Sequence, residues 1–304
     1  MNAPFLQVDV FTSTPFEGNQ LAVFHDALEI PDALMPVLAR EMNFPESTFV
    51  VPGAREGTDQ RMRIFTPEQE LPMAGHPTVG TTFALASLGR IRAPLDRFVF
   101  DLNVGPVPVA LTWAADGQLE FAWMEQPLPA FGAPLGDALR PALARALNLD
   151  ARDLLPTPAQ TVSSGVPFFF VALTNEEAVD RASADRGALA ALFASAGHDR
   201  TRPVFVFAMS PRDGVSCYSR MFAPEFGIPE DPATGGASGP LGCYLLRHGL
   251  VDRDAARTLL SLQGVKMQRP SRIHISIDSA PDGTITKVRV GGKAVVVGEG
   301  VIRA

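Results

Sequence analysis

Residues 63 to 78 read RIFTPEQELPMAGHPT, and residues 220 to 235 read RMFAPEFGIPEDPATG. At a spacing of 157 residues, Arg63 falls on Arg220, Phe65 on Phe222, Pro67 on Pro224, Glu68 on Glu225, Leu71 on Ile228 and Pro72 on Pro229. Past these positions the register slips, so that Thr78-Val79-Gly80 and Thr234-Gly235-Gly236 correspond only approximately. Six matches within ten positions, in the same strand, turn and helix setting, indicate a duplication. A duplicated chain must fold as two similar halves, and 304 residues at 46% hydrophobic supply a core for each.

Periodicity fills in the halves. FLQVDVFT and NQLAVFHD predict two strands joined at a Gly18-Asn19 turn, and PDALMPVLAREMN carries Leu34, Val37, Leu38 and Met42 at helical spacing. Pro45 stops that helix and Thr48 to Val51 start a strand, which sets Glu46 on the corner between them. RMRIFT reads as a strand, ELPMAGHPT as a turn, and VGTTFALASLG as a helix with no polar face, hence a buried one. The short runs from Arg97 to Pro127, cut by Gly, Pro and Asp-Gly turns, read as antiparallel sheet.

The second half repeats this order. PLGDALRPALARALNL is helical, QTVSSGVPFFFVALTN is an apolar strand, two short helices surround Asp185, and PVFVFAMS and SCYSRMFAP are strands. The DPATGGASG loop, the helix GPLGCYLLRHG and a strand-rich tail follow, and the Pro-rich stretch Pro127 to Pro134 reads as a linker. The fold class is therefore α+β, with two pseudo-symmetric halves at residues 1–126 and 127–292 and the segment 293–304 crossing back to the first.

Composition narrows the chemistry. A net charge of −7 and a pI near 5.3, with no Lys/Arg cluster, exclude a nucleic-acid partner and leave small molecules. The opening MNAPFLQVDVF lacks a basic, apolar leader, and no window reaches the ~18 apolar residues of a membrane span, so a cytoplasmic protein without membrane association is expected. Cys217 and Cys243 are too few for a disulfide framework and read as small core residues. The five histidines are scattered without metal-ligand spacing, no phosphate-binding glycine loop is present, and lysine occurs only at Lys266, Lys287 and Lys293. Neither a metal, a nucleotide nor pyridoxal phosphate is expected.

Each repeated loop delivers glycine and threonine to the start of a buried helix, where unpaired N–H groups and the macrodipole attract anions. Gly75, Pro77 and Thr78 in one copy, and Thr234, Gly235 and Gly236 in the other, are thus candidates to hold a small carboxylate between the halves. The loops differ where chemistry would occur, one offering His76 and the other Asp231, groups able to orient a substrate or exchange protons. Glu46, flanked by Phe44, Pro45 and Phe49, is placed for partial desolvation that would raise its pKa toward the proton-transfer range.

Taken together, GNQLAVF, REMNFPESTFV, RIFTPEQELPMAGHPTVGT and FGIPEDPATGGASGPLG resemble the phenazine-biosynthesis PhzF-like family, which shares its fold with diaminopimelate epimerase and the proline racemases. The resemblance covers essentially the whole chain. It implies a cofactor-free isomerase of two similar halves, each a curved, mostly antiparallel sheet or barrel around a central helix, with the active site in the cleft between them. It also implies that Glu46 moves the proton on a small carboxylic acid, that His76 and Asp231 support it, and that the protein forms a homodimer. An epimerase or racemase on the same fold, or an inactive small-anion binder, are the alternatives.

Two departures bear on these expectations. Many relatives carry serine directly after the Thr-Gly pair, whereas this chain has Gly236 there and a serine only at Ser238, so a hydroxyl contact to substrate is lost or relocated. Ala74 and the Pro232/Ala233 region stand where the epimerase branch pairs cysteines, which excludes two-thiol racemisation. The substrate itself is not legible in the sequence.

Overall fold

The structure is a computed structural model, and it describes residues 2–53 and 55–303. Two units divide the chain: Met1–Gln126 with Arg289–Ala304, and Pro127–Val288.

The first unit runs β1 (Asn2–Val10), β2 (Asn19–Phe24), α1 (Met35–Met42), β3 (Glu46–Pro52), β4 (Gln60–Phe65), β5 (Glu70–Leu71), α2 (Gly75–Ser87), β6 (Arg97–Leu102), β7 (Gly105–Trp113) and β8 (Leu119–Gln126). The second runs β9 (Ala130–Pro134), α3 (Arg140–Ala146), β10 (Gln160–Ser163), β11 (Pro167–Ala172), α4 (Glu176–Arg181), α5 (Arg186–Ser195), β12 (Val204–Met209), β13 (Cys217–Ala223), β14 (Ile228–Asp231), α6 (Gly235–Arg247), β15 (Leu259–Gln263), β16 (Ser271–Ser279) and most of β17 (Ile285–Gly292). The last strand, β18 (Ala294–Arg303), lies antiparallel to β1 along its whole length, from Asn2 opposite Arg303 to Val10 opposite Ala294.

The two units share one wiring. In the first, β1 is antiparallel to β2, β2 parallel to β3, β3 antiparallel to β4, and β4 antiparallel to β5 but parallel to β6. In the second, β10, β11, β12, β13, β14 and β15 repeat this series, sense for sense. Each short strand leads into a 13-residue helix, α2 or α6, which is the central helix of its unit. The parallel pairs are bridged by helices, as parallel strands require a crossover: β2–β3 by α1 and β4–β6 by α2 in one unit, β11–β12 by α4 with α5 and β13–β15 by α6 in the other.

The central helices are buried on every side. From Gly75 to Leu85 only Phe83 escapes full burial in α2, which packs on β1, β2, β3, β8 and β18. Three threonines are tolerated there because each hydroxyl finds a partner. Thr78 donates to the Ala74 carbonyl at 2.8 Å, Thr82 to the Thr78 carbonyl at 2.8 Å, and Thr81 meets the Thr48 hydroxyl at 2.9 Å. Helix α1, by contrast, buries only Met35, Leu38 and Ala39, and ends at Asn43, whose left-handed backbone (φ 51°) returns its N–H to the Ala39 carbonyl at 3.1 Å.

Several expectations from sequence are corrected. Both central helices begin earlier than predicted, at Gly75 and Gly235, so that His76, Pro77 and Gly236 sit in first turns and not in the preceding loops. Pro77 is compatible with a first turn because its missing N–H would have no helical partner there. The apolar stretch 160–175 contains two strands, β10 and β11, and the Pro-rich stretch 127–134 contains β9, which pairs with β10. The boundary between units falls at 288/289 and not 292/293. The repeat is also re-registered: Leu71 lies opposite Ile64, whereas the residue opposite Met221 is Asp231. Leu71 therefore corresponds to Asp231, Pro72 to Pro232 and Gly75 to Gly235, the second copy having gained three residues around the turn 224–227. Among the described residues no helix is long and apolar enough to cross a membrane.

Candidate active site

In the first unit, strand alternation places Glu46 and Thr48 on the same face of β3, and the Thr48–Thr81 hydroxyl pair shows that this face looks at α2. Asn19 and Leu21 likewise share a face of β2, with Leu21 opposite Glu46 in the neighbouring strand. Leu21 approaches so closely to Gly80 that a Cβ there would stand 2.6 Å from it. One helical turn earlier, His76 meets the side chains of both neighbours. Its Nδ1 lies 3.4 Å from Asn19 Nδ2 and its Nε2 lies 3.4 Å from Glu46 Oε2.

The imidazole is 4% exposed and the Glu46 side chain 15%. Burial drives the His76 pKa down to about 3, against the opposing effect of a hydrogen bond to the Gln20 backbone, so the ring is neutral throughout the neutral pH range. Nε2 makes no formed hydrogen bond among the described residues and faces the carboxylate at a distance that one small adjustment would close. Of the expected site residues, the fold thus brings Glu46 and His76 together and adds Asn19. The GNQ triplet is visible in the sequence, but nothing in its spacing distinguishes a site residue from a turn.

In the second unit, Asp231 ends β14 and Thr234 is the N-cap of α6. The Thr234 hydroxyl donates to Asp231 Oδ2 at 2.6 Å. Gln263, at the end of β15 and wholly buried, accepts the Thr234 N–H at 3.0 Å and donates through Nε2 to the Thr234 hydroxyl at 2.9 Å and the Asp231 carbonyl at 2.8 Å. Sequence reasoning missed Gln263, since LLSLQG gives no sign of which polar residue faces the helix. Ser238, the candidate for a relocated substrate hydroxyl, is fully buried and donates to the Thr234 carbonyl at 2.9 Å, so that hydroxyl is committed to its own helix. The Thr78 hydroxyl is committed to the Ala74 carbonyl in the same way.

A repeated clamp sets up both helix starts. Arg63 grips Glu70 with two bonds of 2.8 Å, and Arg220 grips Glu230 with bonds of 2.8 and 2.7 Å. Each guanidinium also lies over the phenylalanine two residues on, 5.1 Å from the Phe65 centroid and 4.8 Å from that of Phe222. The clamps hold β5 to β4 and β14 to β13 just before each central helix begins.

The strand registers then show what each unit carries at the other's positions. Ser47 faces Phe65 as Val204 faces Phe222, so Pro203 holds the place of Glu46. Ala22 lies beside Ser47 as Phe169 lies beside Val204, so Val166 holds the place of Asn19, and Gly236 that of His76. In the reverse direction, Leu71, Ala74 and Leu102 hold the places of Asp231, Thr234 and Gln263. At the start of its central helix each unit thus carries a polar cluster whose members the other unit replaces.

A family model described as phenazine biosynthesis-like protein matches residues 8–300. The chain belongs to this family. It is 36% identical over 298 residues to the trans-2,3-dihydro-3-hydroxyanthranilate isomerase of Pseudomonas fluorescens, covering 98% of each chain, and 35% identical over 305 residues to the Pseudomonas aeruginosa enzyme of that name, covering 97% of this chain and 98% of the other. Among solved structures, a PhzF-family phenazine biosynthesis protein from Bacillus anthracis matches over all of both chains with a TM-score of 0.88 at 25% identity. A proline racemase-like protein from Agrobacterium radiobacter, 11% identical, shares the fold at a TM-score of 0.65 over 99% of this chain and 92% of its own. The phenazine biosynthesis-like chain described here is an isomerase of its family, on the expected epimerase-like fold. Its two thiols are poorly suited to racemase chemistry: both are fully buried, and burial pushes each up to about 12.

Proposed function

We propose that this isomerase moves a proton between two carbons of a small unsaturated carboxylic acid, of the class named in its relatives, trans-2,3-dihydro-3-hydroxyanthranilate, with Glu46 as the acid/base and without a cofactor. The observation that carries the reading is the placement of the largely buried Glu46 carboxyl 3.4 Å from a neutral imidazole. The Glu46 carboxylate removes a proton from carbon, the electron pair left behind shifts the adjacent double bond, and the Glu46 carboxylic acid returns the proton to the far carbon. Nothing is oxidised or reduced, and no atom is gained or lost.

His76, kept neutral, orients Glu46 or the substrate by hydrogen bonding and supplies no full positive charge. Asp231 is assigned a supporting polar role. Gly75, Pro77 and Thr78, and Thr234, Gly235 and Gly236, keep the substrate-binding role expected at the starts of the central helices, but not through the Thr78 and Thr234 hydroxyls or the Thr234 N–H, which are committed. Cys217 and Cys243, both unpaired, support a reducing cytoplasmic setting. Homodimerisation remains part of the proposal by family analogy.

Proton NMR in D2O with trans-2,3-dihydro-3-hydroxyanthranilate is the test. Double-bond migration with solvent deuterium entering at one carbon is expected. Deuterium entering a stereocentre with the double bond unmoved would replace isomerisation by epimerisation, and no exchange at all would remove this substrate class.

A further inference from the structure

We propose that Ser164 is a substrate-binding residue whose hydroxyl donates to a carboxylate seated at the start of α6; the inference rests on the reading of that helix start as a binding position. Ser164 directly follows β10. It is 1% exposed, and its hydroxyl has no hydrogen-bond partner among the described residues. A hydroxyl buried in that state has given up water for nothing, a cost that a bound acceptor removes.

Strand alternation aims this hydroxyl. Gln160, Val162 and Ser164 share one face of the strand. Gln160 meets His248, just past the end of α6, at 2.9 Å, and Val162 belongs to the core that holds Ala237, Leu241 and Tyr244 of that helix. From Gln160 to Ser164 the strand covers about 13 Å, as about nine residues of helix do, and counting back from His248 reaches Gly239, in the opening turns of α6.

The first unit gives the same placement. Ser164 corresponds to Val10, since Phe169 lies opposite Thr161 as Ala22 lies opposite Gln7. Val10 is wholly buried against α2, where a Cβ at Gly80 would stand 2.6 Å from it, and Gly80 corresponds to Pro240, one turn beyond Gly236. Where one copy packs a valine on its central helix, the other presents a hydroxyl.

The helix start beside it has an opening. From 231 to 245, Gly236 alone is not buried. Its N–H, in the first turn, has no helical carbonyl to meet, and a Cβ there would meet Phe168 Cε2 at an ordinary 3.7 Å. A carboxylate over Gly236 would take this N–H and the Ser164 hydroxyl, with the positive end of the helix behind them and the Phe168 ring beside its hydrocarbon part. Ser238, committed to the Thr234 carbonyl, cannot be that donor.

The test measures kcat and KM for trans-2,3-dihydro-3-hydroxyanthranilate, and the calorimetric Kd of anthranilate, an aromatic carboxylate that cannot isomerise, in Ser164→Val and Ser164→Ala. KM and Kd are expected to rise about 10-fold or more, the usual loss of a hydrogen bond to a charged group, with kcat within a few-fold because Glu46 is untouched. Tm should hold or rise, since an unpartnered buried hydroxyl is removed. Adding Gly236→Ser to Ser164→Ala returns a hydroxyl from the helix side and should recover most of the lost affinity.

A folded variant that binds anthranilate as the wild type does overturns the proposal, and a lowered Tm beside it would assign the hydroxyl to packing. If Ser164→Val does not fold, Ser164→Ala decides by the same readouts. Anthranilate binding that depends on Ser164, in a protein whose wild type does not turn over the dihydro compound, upholds the carboxylate site and sinks the proposed substrate. Turnover with a KM indifferent to Ser164 does the reverse. A wild type that neither binds anthranilate nor turns over the dihydro compound overturns both.

Discussion

The first unit carries Glu46, His76 and Asn19 around the start of α2, whereas the second carries Pro203, Gly236 and Val166 at the matching positions. The second carries Asp231, Thr234 and Gln263 around the start of α6, where the first has Leu71, Ala74 and Leu102. Both copies keep the Arg–Glu clamp, the phenylalanine beneath it and the buried helix. The comparison separates what the fold needs, which both copies retain, from what only one copy retains. A buried polar group without a structural counterpart in its twin is costly to keep, and its retention points to chemistry.

The largest effect expected from this division is at Glu46. Glu46→Gln preserves shape and most hydrogen bonding but removes the transferable proton, so turnover should fall by ~100- to 10,000-fold with binding little changed. Asp231→Asn, assayed beside it, should cost less if Asp231 only supports the reaction. Equal losses would make the two carboxyls partners in one transfer, and a loss of only a few-fold at Glu46 would move the proton-carrying role out of the first unit.

The clamps offer a stability contrast. Beyond Glu230, Arg220 donates from Nη1 to the carbonyls of Val179, Asp180 and Ala182 at 3.0, 3.2 and 2.6 Å, closing the last turn of α4. Among the described residues Arg63 has in these places the exposed Asp32 at 3.1 Å and the Met35 sulfur at 3.5 Å. Arg220→Met should therefore destabilise by about 2–4 kcal/mol, since it leaves a half-buried carboxylate and several carbonyls without this donor. Arg63→Met should cost about 1–2 kcal/mol. Urea denaturation of both variants measures the difference, and equal losses would mean that the α4 carbonyls contribute nothing.

The last contrast is the pH dependence that His76 brings to the first unit. His76 has its pKa lowered from 6.5 to about 3 by burial, so below pH 6.5 the unfolded chain takes up a proton that the native state refuses. Its contribution is fully present above pH 6.5 and is lost progressively as pH falls toward 3. His76→Asn should be relatively less sensitive to acid over that window, with the gap between variant and wild type narrowing as pH drops. A gap that stays constant from pH 7 to 4 would show that the ring already shares a proton with Glu46 in the native state.

Much of the fold was legible because it rests on local pattern. The all-apolar runs of α2 and α6, the alternating runs of β7 and β8, and the halt of α1 before Pro45 are written in neighbouring residues. The repeat was legible too, but its register was not. Matching Leu71 to Ile228 satisfied residue similarity, and only the hydrogen-bonded pairing of β4 with β5 and of β13 with β14 showed that a one-turn insertion shifts the frame by three.

By itself, then, the sequence determined that the chain is two like α+β halves, that each contains a buried central helix, and that Glu46, His76 and Asp231 are the groups to watch. The halves and their helices follow from side-chain type and short-range periodicity, which act along the chain, and the three groups from the resemblance of their motifs to the family. Tertiary structure alone decided that His76 lies in a first turn and faces Glu46, that Ser238 and Thr78 have spent their hydroxyls, and that Asn19 and Gln263 belong to the two clusters. These depend on which strand face meets which helix turn across 33 residues for Thr48 and Thr81, and 29 for Thr234 and Gln263. Contacts at such separations are set by sheet register and helix packing, and no local pattern encodes them.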